Sequence, residues 1–258
     1  MRRPRQEYYS SLAGFREYFE TGVPVLMYHK VGPRPAGVVR RGLYVSPGLF
    51  ARQLAELSAA GFGTASLEEA LEAGDNREKR VALTFDDGFA NVLDHALAPL
   101  AQNRFRGLLF LVPGLLGGWN EWDLPAGEAR EKLMDAAQVR HWIASGHGIG
   151  AHSMTHPDLT KIPAARAREE ISASRKILED TFGVPVEHFC YPYGHSNEAV
   201  RDFVAEAGFR TACTTQRGVN TRATPRFELT RWTARHPSPR PRDALARFLD
   251  RTFGPHRS

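Results

Sequence analysis

The sequence predicts an α/β fold: a single-domain (β/α)7-type barrel, incomplete or distorted. Three observations predict it. Short apolar runs alternate with stretches of helical periodicity from residue 24 onward. About seven such β/α units fit into one chain of 258 residues. No repeat, low-complexity block or long linker divides them, so residues 23–258 read as one domain behind an N-terminal extension, residues 1–22.

PVLMYH, residues 24–29, is an apolar run between Gly22 and Gly32 and reads as the first strand. Residues 46–61 read as a helix with Ser46 as N-cap, Pro47 in its first position and Gly61 as its stop. RVALTF (80–85) reads as a strand, 89–103 as a helix and 106–112 as a buried strand. The segment from Pro113 to Glu131 is rich in Gly, Trp and charge. It reads as a long loop, and loops of that length inside a compact domain are usually functional. A helix over 134–146 precedes a strand over 147–153, and a long amphipathic helix covers 163–182. Then come a strand at 186–192, a helix at 196–208 capped by Ser196 or Asn197, strands at 209–215 and 227–234, and a closing helix at 242–253. In a barrel of this kind the chemistry sits at the C-terminal ends of the strands.

Composition narrows the function classes. A hydrophobic share of 42% is enough for a sizeable core. Charged or polar residues interrupt every apolar run, so no window reads as a transmembrane helix. MRRPRQEYYSSLAGFREYF at the N-terminus lacks the apolar stretch and cleavage site of a secretory signal, so the expectation is a cytoplasmic chain. The net charge is +5, mostly from arginine. Solvated surface charge is the simplest reading of it. Attraction to an anionic glycan, or peripheral association with a membrane surface, is the functional one. No helix carries a basic stripe with interleaved aromatics, which argues against nucleic acid. Cys190 and Cys213 form no CxxC pair and lie in strand-like runs, so they read as buried free thiols, bridged only if their strands are neighbours. Oligomeric state is not legible.

Four polar clusters stand at strand ends. Thr84-Phe85-Asp86-Asp87-Gly88 puts two adjacent carboxylates at the exit of an apolar strand. They are costly there unless exposed or given a counter-charge, and a divalent cation supplies one. Asp-Asp-Gly alone is ordinary turn chemistry. His152-Ser153-Met154-Thr155-His156 has two histidines four apart, which predicts a shared face of one helical turn and metal-ligand spacing. Two histidines and one aspartate with open positions suit a catalytic divalent metal such as zinc. Phe189-Cys190-Tyr191-Pro192-Tyr193-Gly194 reads as a strand ending in a turn, and Tyr28-His29 ends the first strand.

TFDDG, HSMTH and FCYPYG, in that order on a β/α chain, resemble the polysaccharide deacetylases of the NodB-like family, carbohydrate esterase family four. The resemblance runs from about Pro24 to Trp232. Leu-Met-Tyr-His-Lys-Val-Gly at 26–32 is similar to the opening strand of the poly-N-acetylglucosamine deacetylase subgroup. The resemblance implies hydrolysis of N-acetyl groups on an amino-sugar polysaccharide or glycoconjugate. It implies one divalent ion, zinc first, with cobalt, manganese or nickel as alternatives, held by Asp87, His152 and His156. Asp86 becomes the general base, His29 the acid that protonates the leaving amine, and Tyr193 a backbone N–H donor to the oxyanion. Trp232 walls the acetyl pocket, and Tyr191 and Arg231 join the substrate-binding residues. Two departures stand out. Cys190 occupies the region where many members carry an arginine that tethers the base, which makes Arg231 the candidate replacement. The usual C-terminal Leu-x-His is absent, which raises His29 as the acid and leaves His236 as second choice.

Two rival readings stay open on the sequence. One is a metal-dependent amidase acting on a small cyclic amide or ureide, which a deep closed pocket would favour over an open groove. The other is a glycan-binding domain without activity. Trp119 and Trp122 in the 113–131 loop suit either a sugar-stacking platform or a lid.

Overall fold

The computed structural model describes residues 4, 6–36 and 38–237. The closing helix expected at 242–253 lies outside them. The described elements are α1 (Arg16–Phe19), β1 (Val25–Tyr28), β2 (Lys30–Val31), β3 (Tyr44–Val45), α2 (Pro47–Ala59), β4 (Gly63–Thr64), α3 (Leu67–Glu72), β5 (Arg80–Phe85), α4 (Ala90–Gln102), β6 (Gly107–Leu111), α5 (Ala136–Ala144), β7 (Gly148–Ala151), α6 (Ala164–Phe182), β8 (His188–Cys190), α7 (Glu198–Glu206), β9 (Thr211–Cys213) and β10 (Trp232–Thr233).

The main sheet is parallel throughout, in the order β10-β1-β5-β6-β7-β8-β9. β4 pairs with the start of β5 at Arg80 and Val81, before β6 takes over at Leu83. The stretch around β10 touches both edges of this curl. Leu229 bridges Cys213, the last residue of β9, and Trp232 pairs with Leu26 of β1. The sheet is therefore a distorted barrel of the (β/α)7 type, with helices outside it. No helix among the described residues is long and apolar enough to cross a membrane.

Local signals set the helix ends. The Ser46 side chain accepts from Leu49 N–H, and Pro47 opens α2. Asp135 and Gln138 form a capping box on α5, and Asn197 caps α7. α3 carries a second capping box, Ser66 with Glu69. The 113–131 segment is not wholly irregular: Pro113–Leu115 and Glu121–Ala126 are 3-10 turns. Residues 9–19, inside the expected N-terminal extension, bury Tyr9, Leu12, Phe15 and Phe19 in the same core as the barrel helices. Phe15 stands edge-on to Trp232 with ring centres 4.9 Å apart.

Candidate active site

β5, β7, β8 and β1 end at one rim, and the polar clusters meet there. Asp87 Oδ1 lies 3.3 Å from His152 Nε2 and 3.3 Å from His156 Nε2. All three side chains are buried. The two histidines do not share a helical turn, as their spacing predicted. Residues 152–156 form a loop in which Ser153 (φ 62°) and His156 (φ 63°) are left-handed. Asp87 (φ 74°) and Tyr193 (φ 61°) are left-handed as well, so four of the six non-glycine residues with positive φ among the described residues surround this one point. Such conformations cost energy and persist where surrounding structure fixes them. Here Glu170 of α6 does much of the fixing. Its carboxylate accepts from Thr155 N–H at 2.8 Å and from the Thr155 hydroxyl at 2.6 Å. Ser153 Oγ accepts from His156 N–H at 3.0 Å.

The ring orientations are set from behind. His152 Nδ1 lies 2.6 Å from the Cys190 carbonyl, which can only accept, so Nδ1 carries the proton and Nε2 faces Asp87. His156 stacks on Trp122, ring centres 4.4 Å apart at 22°, and meets Tyr193 edge-on at 4.8 Å.

Asp86 points the other way along the rim. Arg231, fully buried, donates Nη1 to Oδ1 at 2.7 Å and Nη2 to Oδ2 at 2.8 Å. Arg231 also donates to the Thr214 carbonyl and to Thr84 Oγ1, and its Nη2 lies 3.0 Å from Cys190 Sγ. Cys190 Sγ is itself 3.6 Å from Asp86 Oδ2. Cys190 and Cys213 pair in register across β8 and β9 and are free thiols. His29 Nε2 stands 3.9 Å from Asp86 Oδ2, and His29 Nδ1 is buried without a partner.

Burial opposes charge throughout this cluster. It raises the Asp86 carboxyl, but Arg231 and then His29 outweigh it and leave Asp86 below the usual carboxylate range. Burial likewise raises Asp87, and its contacts with the His152 and His156 imidazoles bring it well below that range. Burial also pushes His29 below the ordinary histidine value, while Asp86 and Asp87 pull it back in part.

These residues line a cleft of about 400 Å3, together with Arg40, Trp122, Asp123, His195, Thr215 and Arg235. A cavity of about 500 Å3 opens at the other end of the barrel and is lined by none of His29, Asp86, Asp87, His152 and His156. Two expected substrate-binding residues do not face the cleft with their side chains. Trp232 packs into the core against Phe15 and Tyr18. Arg231 has no exposed surface and lies behind Asp86. Tyr191 borders the cleft, but its hydroxyl donates away from it, to the Phe227 carbonyl. His236 Nε2 accepts from Ser46 N–H and does not line the cleft.

The model of the polysaccharide deacetylase family matches residues 73–212, more than half of the chain. The chain belongs to the polysaccharide deacetylase family. It is 30% identical over 136 residues to a protein of Bradyrhizobium sp. strain ANU 289 named chitooligosaccharide deacetylase, covering 50% of this chain and 53% of that one. It is 22% identical over 204 residues to YxkH of Bacillus subtilis, covering 78% and 67%. Of other curated relatives it spans as little as 5%. In fold it is similar to the Streptococcus pyogenes deacetylase PplD, solved in complex with acetate, with a TM-score of 0.72 at 22% identity over 87% of this chain and 97% of that one.

Glu170 and the Cys190 carbonyl were not anticipated. Glu170 is an acidic residue buried on an amphipathic helix, a weak signal. Nothing in a sequence reports a backbone carbonyl's direction.

Proposed function

We propose that the chain is a divalent-metal-dependent deacetylase that hydrolyses N-acetyl groups on an amino-sugar polymer or glycoconjugate and releases acetate. The observation that carries this is the Asp87–His152–His156 trio beside a second carboxylate, Asp86, clamped by Arg231. The trio fits a cation on its own chemistry. With Nδ1 of His152 protonated against a carbonyl, its Nε2 lone pair faces the Asp87 carboxylate at 3.3 Å. Two acceptors at that distance need a cation between them, either a proton or a metal. An ion bound there, zinc as the first expectation, acidifies water and polarises the acetyl carbonyl.

The remaining roles belong to the chain's own groups. Asp86, kept ionised by Arg231, takes the proton from the attacking water. His29, beside Asp86 at 3.9 Å, gives a proton to the nitrogen as the C–N bond breaks, so the products are acetate and a free amine. The Tyr193 N–H donates to the oxyanion. The exposed rim, with Tyr193 and His195 open to solvent, suits a chain passing through and not a small cyclic amide. Relatives named as chitooligosaccharide and peptidoglycan-N-acetylglucosamine deacetylases support the substrate class. The test is acetate release from a chito-oligosaccharide by protein stripped with chelator and reloaded with zinc, cobalt, manganese or nickel. Metal-dependent release is expected. Release that survives full metal removal would overturn the proposal.

A further inference from the structure

Arginine is spread along the whole sequence, but the fold gathers two acid-free segments onto one wall of the cleft. From Lys30 to Ala55 there are five cationic residues, Arg34, Arg40, Arg41 and Arg52 among them, and no Asp or Glu. Residues 229–237 hold Arg231, Arg235 and His236, again without an acid. The two segments touch at two points. His236 Nε2 accepts from Ser46 N–H at 3.2 Å. At Gly42 any Cβ would overlap the Arg235 guanidinium, so the missing side chain makes its room. Burial, then the charges of Arg34 and Arg52, push His236 below its ordinary value.

Some of this charge is already matched. Arg40 pairs with Asp123 at 3.2 Å, and Arg52 with Glu56 at 4.0 Å. Arg231 is committed to Asp86. Among the described residues, Arg34, Arg41 and Arg235 have no carboxylate within ion-pair distance. Arg235 is the one of these three inside the cleft, in the same cavity as His29 and Asp86. Its guanidinium lies over the Tyr8 ring, Cζ 3.8 Å from the ring centre, which holds the planar group in place.

We infer that this wall, with Arg235 at its inner edge, binds a carboxylate or phosphate carried by the substrate beside the N-acetylated sugar. The preferred substrate is then an acidic N-acetylated glycan and not a neutral one. The inference rests on the deacetylase reading above and narrows it. A guanidinium fork suits either anion, because both offer two coplanar acceptors. Position favours a glycan over a membrane surface: Arg235 lines a concave cleft, although Val39 in the same basic segment is 64% exposed.

The test compares kcat/KM of the metal-loaded full chain on three substrates. They are neutral chitotetraose, a hyaluronan tetrasaccharide carrying glucuronate, and a phosphodiester-linked N-acetylhexosamine oligomer. At least one acidic chain is expected to exceed the neutral one by about tenfold at low salt, the order of one charge-assisted hydrogen bond. That preference should collapse toward unity at about 0.5 M salt, where exposed charges are screened. Which acidic chain is preferred separates carboxylate from phosphate. Arg235→Gln should lower the acidic-to-neutral ratio by about tenfold, and the surface double variant Arg34→Gln/Arg41→Gln by less. Equal, salt-insensitive rates that Arg235→Gln leaves in the same ratio would overturn this inference alone. Binding of the fluorescently labelled chains is measured in parallel. Salt-sensitive, Arg235-dependent binding of an acidic chain with no turnover of any chain would sink the deacetylase reading and keep the wall. Capture by phosphatidylglycerol vesicles through Arg34 and Arg41, with no acidic-chain preference, would assign the wall to a membrane surface and overturn it.

Discussion

Arg231 grips both oxygens of Asp86, Nη1 to Oδ1 at 2.7 Å and Nη2 to Oδ2 at 2.8 Å, from the stretch just before β10 that joins the two edges of the sheet. Arg231 and then His29 outweigh burial and hold the Asp86 carboxyl below its usual range. A depressed carboxyl contributes stability that is present above its unfolded value, near 4, and is lost as pH falls through the depressed one. Arg231→Gln leaves burial less opposed, so the carboxyl moves up. Activity should then fail at a higher pH on acidification, with kcat down by roughly ten- to a hundredfold. Arg231→Lys should rescue only part of this, because an ammonium cannot make the two parallel bonds. Loss of one partner of a buried pair should also cost about 3–5 kcal/mol of stability, read by denaturant titration. An unchanged acid limb in Arg231→Gln would reject the clamp as a tuning device.

Asp87→Ala, His152→Ala and His156→Ala should each lower bound metal, measured by elemental analysis, in step with activity. Chelation should abolish activity and lower the melting temperature of the wild-type chain, since a ligand of the native state stabilises it. Full metal occupancy in both histidine variants would remove the trio from the metal site.

Asp86→Asn should keep its metal and lose most hydrolysis, by roughly a hundred- to ten-thousandfold. The geometry behind this is a division of labour between neighbours. Asp87 faces the two imidazoles, and Asp86 faces Arg231 and His29. Near-wild-type turnover of Asp86→Asn would show that the proton goes elsewhere.

Much of this arrangement is legible in the sequence, and the reasons differ by residue. The strand-end residues His29, Asp86, Asp87 and His152 are readable because each follows an apolar run, and a parallel barrel brings all such ends to one rim. The backbone of 152–156 is not readable: a four-residue spacing suggests a helical turn, and left-handed residues leave no compositional mark unless they are glycine. Two-residue strands such as β2, β3 and β4 carry too little periodicity to detect. α3 was detectable, since Ser66-x-x-Glu69 is a capping-box signature. Trp232 was also decidable. Adjacent strand residues point to opposite faces, so Arg231 and Trp232 cannot both face the site. With Arg231 on Asp86, Trp232 must turn outward, where Phe15 and Tyr18 cover it.

That parity separates the effects of two tryptophans. Trp232→Ala opens a cavity in the aromatic core and should destabilise the chain by about 3–5 kcal/mol. Its KM should change little at temperatures where the variant stays folded. Trp122 borders the cleft and stacks on His156, so Trp122→Ala should raise KM and weaken metal retention with a smaller loss of stability. The opposite pattern in thermal melts and kinetics would return Trp232 to the acetyl pocket.

The last prediction concerns the proton donor. His29 Nε2 stands 3.9 Å from Asp86 Oδ2, in the cleft that holds the trio, while His236 is engaged with Ser46 outside the cleft lining. Burial lowers the His29 pKa, so the neutral ring is favoured in the free protein, and the nearby carboxylates Asp86 and Asp87 oppose this only in part. A donor with a lowered pKa is a stronger acid, able to give its proton to an amine as the C–N bond breaks, but protonated in a smaller fraction of molecules. His29→Ala should therefore keep metal and fold yet lose turnover on the N-acetyl substrate. The loss should shrink for an activated acetate ester, whose leaving group needs little protonation. A core histidine with no chemical role predicts another outcome, a drop in melting temperature and equal losses on both substrates. Equal losses on amide and ester would reject His29 as the acid. If His236→Ala then showed the leaving-group dependence, the acid would have to reach the cleft from the 229–237 segment instead.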